Sequence, residues 1–513
     1  MAIAVRPHDS NWDGNIPIQP LAVRQAYLQL LVERVRENAD LDANQHVVLV
    51  GGRGTGKTTL LRQVAIAIEG DEELNAAWYP LVFGEDAYAI ASPGEVWREA
   101  LFYAGERTRE RRWQQAYEDL ASETDDKRLA ARALAQLMDF ADERGQKLLL
   151  AIEQLDVLLG EQLQAGDDWE LRHTLTNEPR VMLLGTANAP FEEIQAVNRA
   201  WFELLEVVHL EPLTDKESQA LWNAIVRHDI SWHQWRPISI LTGGNLRLTR
   251  ESAKFVAGNE TASLTAILMK LVEIQSDYFD AQLAGLAVLE RKVFVALLEL
   301  WEVASARDVA QKARVNVNKA SALLRRLVER GAVERIETSS RKHYYRVAER
   351  LFCIYYRTVR RGEVGIGVRR FVEFVEQFYR EPVGAEAAAT LDARDFESTC
   401  RGRLEALSAC SGELRDTIEF FVAAAAVGLA ESTLAAISKS EMLQKLQPLI
   451  LGLRIYLGEE PLMTCEMTPL AEDIAKSILT LKRTVEMSEN GRDSDSNAEL
   501  KSFEKVLIKP AVL

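Results

Sequence analysis

One stretch, HVVLVGGRGTGKTTLLRQVAIAI at residues 46–68, constrains this chain more than any other. A short apolar run leads directly into a glycine-rich turn, and the turn opens into residues with helical apolar spacing. Strand, turn and helix in that order begin a parallel α/β unit, which must bury its sheet between helices. The turn is a complete Walker A pattern, Gly51-x-x-x-x-Gly56-Lys57-Thr58. Its glycines let successive backbone N–H groups face one anion, and the helix N-terminus adds partial positive charge. Gly51, Gly52, Gly54, Thr55, Gly56, Lys57, Thr58 and Thr59 are therefore the candidate cradle for ATP. Lys57 is suited to the β- and γ-phosphates, and the Thr58 hydroxyl to Mg²⁺.

Two further apolar runs, KLLLAIEQLD at 147–156 and RVMLLGTANA at 180–189, read as buried parallel strands, with a long helical region around 93–145 before them. In most P-loop ATPases the first of these strands ends in Asp-Glu. Here Glu153 stands where the metal-side acid is expected, and Gln154 where the catalytic acid is expected. Glu153 can still hold Mg²⁺, whereas Gln154 can orient a water but cannot take its proton. Slow hydrolysis follows, with Asp156 as the fallback acid.

Four motifs carry a family resemblance: GGRGTGKTT, LLLAIEQLD, LLGTAN and TGGNLRLT, in that chain order. Together they resemble the AAA+ ATPases, and among them the origin-recognition/Cdc6-like and STAND-like proteins that carry a winged helix after the lid. The resemblance implies a sensor-1 role for Asn188, after Thr186, and a sensor-2 role for Arg247 in a helical lid. It also implies a trans-acting arginine finger at Arg199, and with it a homo-oligomer. The plainer alternatives are a turn cap for Asn188 and surface arginines for Arg199 and Arg247.

A second pattern lies at 286–350. A short helix ending near Ala313, a turn through Val315-Asn316-Val317 and an amphipathic helix from Asn318 to Glu329 have helix–turn–helix proportions. The segment AVERIETSSRKHYYRV then reads as two strands joined by a basic turn. From Ser305 to Arg346 there are eleven Lys/Arg and four Asp/Glu, against a net charge of −16 for the whole chain. Asn318, Lys319, Arg325 and Arg326 on the helix, with Arg341 and Lys342 in the wing, are candidate contacts to duplex DNA. Winged helices also dock proteins, so a protein partner stays open.

The expected organisation is an α/β P-loop AAA+ core (1–211) with a parallel sheet covered on both faces, then a helical lid (212–285). A winged helix-turn-helix (286–350), a C-terminal all-helical region (351–485) and a polar tail (486–513) follow. The helical region has no decodable signature and is a candidate surface for a partner protein. No run approaches the ~18 apolar residues of a membrane span. The four cysteines form no C-x-x-C pair, so the expectation is a reducing cytoplasm without a zinc site. Two readings remain: a nucleotide-controlled switch that places the winged helix on DNA or a partner, and a STAND-like sensor or scaffold in stress or anti-phage defence.

Overall fold

The computed structural model describes residues 23–490, apart from 85–89, 165, 198, 227–230, 260–261, 301–302, 338–342, 361–365, 381–395, 409–413, 441–444 and 460–466. The described chain divides into two compact units. The first runs to Ile225 and takes in Gly244–Arg250 and Val328–Gly331. The second holds Val226–Gly243, Glu251–Leu327 and the described residues from Ala332 on.

The first unit is built on five parallel strands: β1 (His46–Val50), β2 (Trp78–Val82), β3 (Lys147–Ile152), β4 (Val181–Ala187) and β5 (Leu205–His209), in the spatial order β2-β3-β4-β1-β5. The side-chain period of two sorts each strand between two cores. Val48, Val50, Leu148, Leu150 and Leu183 meet Trp97, Leu101, Leu137 and Leu171 on one face. Val47, Leu49, Leu149, Met182 and Leu184 meet Leu31, Val35, Leu61, Val64 and Ile68 on the other. Burial on both faces explains why β1, β3 and β4 are continuous apolar runs instead of alternating ones. β2, with Tyr79 and Pro80 inside it, lacks that signature and sequence patterning passed over it.

His46 opens β1 and is fully buried. Its Nδ1 accepts the Leu183 N–H at 3.0 Å, and Nε2 donates to the Leu175 carbonyl at 3.3 Å. Burial pushes its pKa down to about 4.

The helical region expected around 93–145 is three helices, Pro93–Thr108, Arg111–Asp119 and Asp126–Arg144. The breaks have local causes. Ser92 and Asp125 cap two helix starts, Pro93 sits in the first turn, and Arg109 and Gly145 close helices in the left-handed region.

In the second unit a three-stranded antiparallel sheet, ordered β6-β8-β7 (Ala304–Ser305, His343–Val347, Val333–Glu337), packs on the helix Ala306–Ala313, and the helix Val317–Glu329 follows, its last two residues falling in the first unit. The second helix begins at Val317, one residue earlier than expected, because the Asn316 side chain accepts the Asn318 N–H at 2.8 Å and closes the turn. The short strand β6 had not been anticipated.

The remaining helices of this unit include Trp232–Thr242, Ile366–Tyr379 and Met467–Asn490, the last running into what was expected as polar tail. Inside them lies a polar cluster. Arg236 Nε donates to Asp473 Oδ2 at 2.6 Å, and the Tyr379 hydroxyl donates to the same oxygen at 2.5 Å. The Arg236 and Asp473 side chains are 9% and 12% exposed. The Arg236 guanidinium also lies over the Trp232 ring, 5.2 Å from its centroid. Burial, with the Asp473 charge beside it, drives the Tyr379 hydroxyl far above its ordinary pKa.

One helical stretch, Leu414–Ser438, is long and apolar enough by composition to cross a membrane, and half of it is buried. Val427 and Gly428 leave helical geometry, Gly428 at φ +94°, so the stretch is two helices meeting at a kink. Both parts pack on neighbouring helices of the unit. Cys353 and Cys400 are buried; Cys410 and Cys465 lie outside the described residues.

Candidate nucleotide site and winged helix

The strand register brings the motifs to one edge of the sheet. Val50 pairs with Ala187, so β1 and β4 end level, and Ile152 pairs with Gly185, so β3 stops two residues earlier. The Walker A turn, Glu153-Gln154 and Asn188 all follow from those ends. This is the mouth at the C-terminal edge of a parallel sheet, where α/β folds bind ligands. The Gly51 N–H donates to the Ala187 carbonyl at 3.1 Å, tying the start of the loop to the end of β4.

Within the loop, Gly54 and Gly56 sit at φ +82° and +102°, which L side chains rarely adopt. The Thr55 hydroxyl is turned inward and donates to the Gly52 carbonyl at 2.8 Å. Thr59 is exposed. Lys57 opens the following helix, and its Nζ donates to the Gly51 and Gly52 carbonyls at 2.6 and 3.1 Å and to Asn188 Oδ1 at 3.1 Å. The Thr58 hydroxyl donates to Glu153 Oε2 at 2.5 Å. Lys57, Thr58, Glu153 and Asn188, four residues spread over about 130 positions of sequence, therefore form one connected cluster.

The donor set fits a magnesium nucleotide. Thr58 and Glu153 offer one hydroxyl and one carboxylate, both hard oxygen donors. Mg²⁺ needs little more from a protein when phosphates and waters complete its shell. Among the described residues no group of three or more His, Cys, Asp or Glu is placed to cage a metal without such a ligand.

Gln154 occupies the left-handed region at φ +56°, and its N–H donates to Thr186 Oγ1 at 3.2 Å. A non-glycine residue held there is strained and must be fixed by its surroundings. Thr186, read from sequence only as the residue before sensor 1, thus pins the turn after β3. Arg199 lies half-buried in the turn between the short helix Glu192–Gln195 and β5, its N–H donating to the Ala196 carbonyl at 2.9 Å.

The Gly-Gly-Asn turn meets the phosphate loop directly. The Arg247 N–H donates to the Gly54 carbonyl at 3.0 Å, and Asn245 Nδ2 donates to the Arg53 carbonyl at 2.8 Å. Asn245 Oδ1 meanwhile accepts the Leu248 N–H at 3.1 Å and caps the helix Leu246–Ala257. A Cβ at Gly54 would lie 2.7 Å from Asn245 Oδ1, so glycine there serves the contact as well as the backbone angle. Asn245 is the site residue that sequence reading left without a role. Its position before a helix signals a cap, but nothing in the sequence shows that the same amide reaches the loop nearly 200 residues earlier.

The described winged helix sorts its candidates. Asn318, Lys319, Arg325 and Arg326 are exposed on the Val317–Glu329 helix, opposite the buried Ala320, Leu323, Leu324 and Leu327. Arg326 reaches Glu290 at 3.8 Å, a carboxylate whose side chain is 5% exposed. Lys312 pairs with Glu299, and Arg346 with Glu334 across the hairpin. Arg341 and Lys342 fall outside the described residues.

Residues 282–350 match the model of a family described as sugar-specific transcriptional regulator TrmB. None of the curated proteins matches the chain in sequence. The structure is similar to the Aeropyrum pernix ORC1 protein solved in complex with DNA, at 16% identity and a TM-score of 0.40, covering 65% of this chain and 92% of that one. It is also similar to the Aeropyrum pernix ORC2 protein solved as ADPNP–ADP complexes (15% identity, TM-score 0.45, 68% of this chain and 96% of that one). A third is the Walker-type ATPase PABY2304 of Pyrococcus abyssi (13% identity, TM-score 0.46, 65% and 95%). The core is a parallel P-loop α/β fold. Its five-stranded sheet, the motifs at one edge and the helix that starts on the Walker A loop carry that assignment, and a winged helix follows this core in the chain.

Proposed function

We propose that this protein is an ATPase acting as a nucleotide-controlled switch whose winged helix binds duplex DNA. The observation that carries the reading is the cluster at the sheet mouth. Thr58 meets Glu153 at 2.5 Å, and Lys57 meets Asn188 at 3.1 Å, beside two left-handed glycines. In this reading Lys57 and the loop amides hold the phosphates, while Thr58 and Glu153 hold Mg²⁺. Bound there, the metal supplies charge neutralisation across the β- and γ-phosphates. Asn188 orients the γ-phosphate side of the site. Gln154 can position a water without accepting its proton, so turnover is slow.

Coupling to the rest of the chain is by chain continuity. The helix Leu246–Ala257 starts on the phosphate loop in the first unit and ends in the second. Arg247 in its first turn is the sensor-2 arginine of this reading, and Arg199 the arginine finger offered to a second copy in a homo-oligomer. Lys319 and Arg325 contact DNA phosphates, with Asn318 at the helix start facing base edges. The C-terminal helices serve a partner protein.

The test is a pair of titrations on the full chain. Calorimetry with ATP and magnesium should show one site per chain, and gel shift on duplex DNA should show affinity that falls steeply with salt. Absence of nucleotide uptake removes the switch. Nucleotide uptake without DNA affinity at low salt, together with ATP-dependent oligomers by light scattering, moves the reading to the STAND-like scaffold.

A further inference from the structure

The turn after β3 contains an acid that the reading above leaves idle. Asp156 stands in the single helical turn Leu155–Val157, three residues beyond Glu153. Its Oδ2 accepts the backbone N–H of Asn188 at 3.0 Å. Its Oδ1 is buried and has no hydrogen-bond partner among the described residues. Burial raises the pKa of this carboxylate, opposed by the Asn188 N–H bond, by the backbone N–H groups of the turn and by the Lys57 charge.

The placement of Asp156 is fixed from both sides. Leu155 packs so closely over β4 that a Cβ at Gly185 would lie 1.9 Å from Leu155 Cδ1, so β4 accepts the turn only because Gly185 is glycine. Gln154 is held in its left-handed conformation with its N–H on Thr186 Oγ1. The Val157 and Leu158 N–H groups both donate to the Gln154 carbonyl at 3.0 Å, closing the turn. Asp156 has little freedom to do anything except meet Asn188.

We infer that Asp156 is a positioning residue: its carboxylate clamps the Asn188 backbone so that the Asn188 amide oxygen faces Lys57. The chain of contacts is Asp156 Oδ2 to Asn188 N–H, and Asn188 Oδ1 to Lys57 Nζ. Asn188 is the first residue beyond β4, where no ladder bond fixes its backbone, so the orientation of its side chain depends on a bond from outside the strand. A role as proton acceptor fits less well. Oδ1 is enclosed by protein, and Oδ2 is already engaged with an N–H. The functional half of this inference rests on the nucleotide reading above; the structural half does not.

Asp156→Ala and Asp156→Asn separate the alternatives, because asparagine keeps an acceptor oxygen and loses the basic carboxylate. Hydrogen exchange by mass spectrometry, without nucleotide, reads the clamp itself. Asp156→Ala should lose protection in the peptide carrying Asn188 while β1 and β3 peptides keep theirs, and Asp156→Asn should retain most of it. In steady-state ATPase assays Asp156→Ala should lower kcat roughly 10- to 100-fold with little change in KM, and Asp156→Asn should stay close to wild type. The double variant Asp156→Ala/Asn188→Ala should be no slower than Asn188→Ala alone. Unchanged exchange in Asp156→Ala overturns the proposal, as does an Asp156→Asn variant that keeps protection yet is as slow as Asp156→Ala, which would make Asp156 the base. Lost protection in a chain that hydrolyses no ATP in its wild-type form leaves the clamp standing and removes only the nucleotide reading.

Discussion

The sheet mouth and the winged helix both carry cationic and polar groups, but they dispose of them in opposite ways. At the mouth, Lys57, Thr58, Glu153, Asp156 and Asn188 bond to one another and to backbone carbonyls, on loops whose angles are fixed by glycine and by a strained Gln154. On the winged helix, Asn318 and Lys319 are exposed on a regular helix. The first arrangement is preorganised: its groups are already oriented, so binding there costs little ordering. In the proposed DNA contact the second would rely on net charge and counterion release, which tolerate mobile side chains and imprecise geometry. A site of the first kind should fail sharply when one residue is removed, and one of the second kind gradually.

The buried Arg236–Asp473–Tyr379 cluster shows that internal pairing is not confined to the mouth, and it offers the largest effect. Asp473→Ala would take the carboxylate away from a nearly buried guanidinium, at a cost of about 3 kcal/mol. Chemical denaturation should show that loss in the transition involving the second unit, while nucleotide affinity stays within a factor of two or so of wild type. Equal loss of nucleotide affinity would mean that the two regions are not energetically separate.

Next in size is Lys57→Ala. Removing a charge-assisted contact to phosphate should weaken ATP binding by about 100-fold, with DNA affinity in the absence of nucleotide unchanged. Calorimetry and gel shift on the same preparation decide it.

A third probe uses the depressed pKa of His46. Its Nδ1 accepts the Leu183 N–H, so the ring must shed that bond to become charged. The folded pKa is about 4 against an ordinary 6.5, so between these values the unfolded chain binds the extra proton. Stability is therefore full above about pH 6.5 and falls as the pH drops towards 4, by about 3 kcal/mol at most from this group. Denaturation midpoints at pH 7 and pH 4.5 should differ in that direction. A flat profile would show that the histidine does not hold the sheet neutral.

The smallest effects belong to the winged helix. Lys319→Ala and Arg325→Ala should each cost about 1 kcal/mol of DNA affinity and reduce the slope of log affinity against log salt by about 1. Arg326→Ala should cost less than Lys319→Ala, because Arg326 leans towards the buried Glu290. A single substitution here that abolished binding would overturn the contrast and indicate a preorganised reader of base edges.

The ways in which the two regions were legible in the sequence differ for the same physical reason. The Walker A turn, the two strands that lead into Glu153 and Asn188, and the helix–turn–helix spacing are local patterns, and local geometry alone requires them. β2 was passed over because Tyr79 and Pro80 interrupt its apolar run, and β6 because two residues make no pattern. The helical region expected around 93–145 is divided where Arg109, Asp125 and Gly145 supply end signals that periodicity does not weigh.

The sequence by itself determined the chemistry offered: which loop can wrap a phosphate, which acids and amides follow the strands, and that a basic helix lies in an acidic chain. Only the tertiary structure decided which of those groups meet. The shared register of β1, β3 and β4 brings residues about 100 to 130 positions apart into hydrogen-bond contact, and Gly185 admits the turn that aims Asp156 at Asn188. Composition and spacing set the local angles, whereas strand order and register, which depend on burying both faces of the sheet together, set the distances.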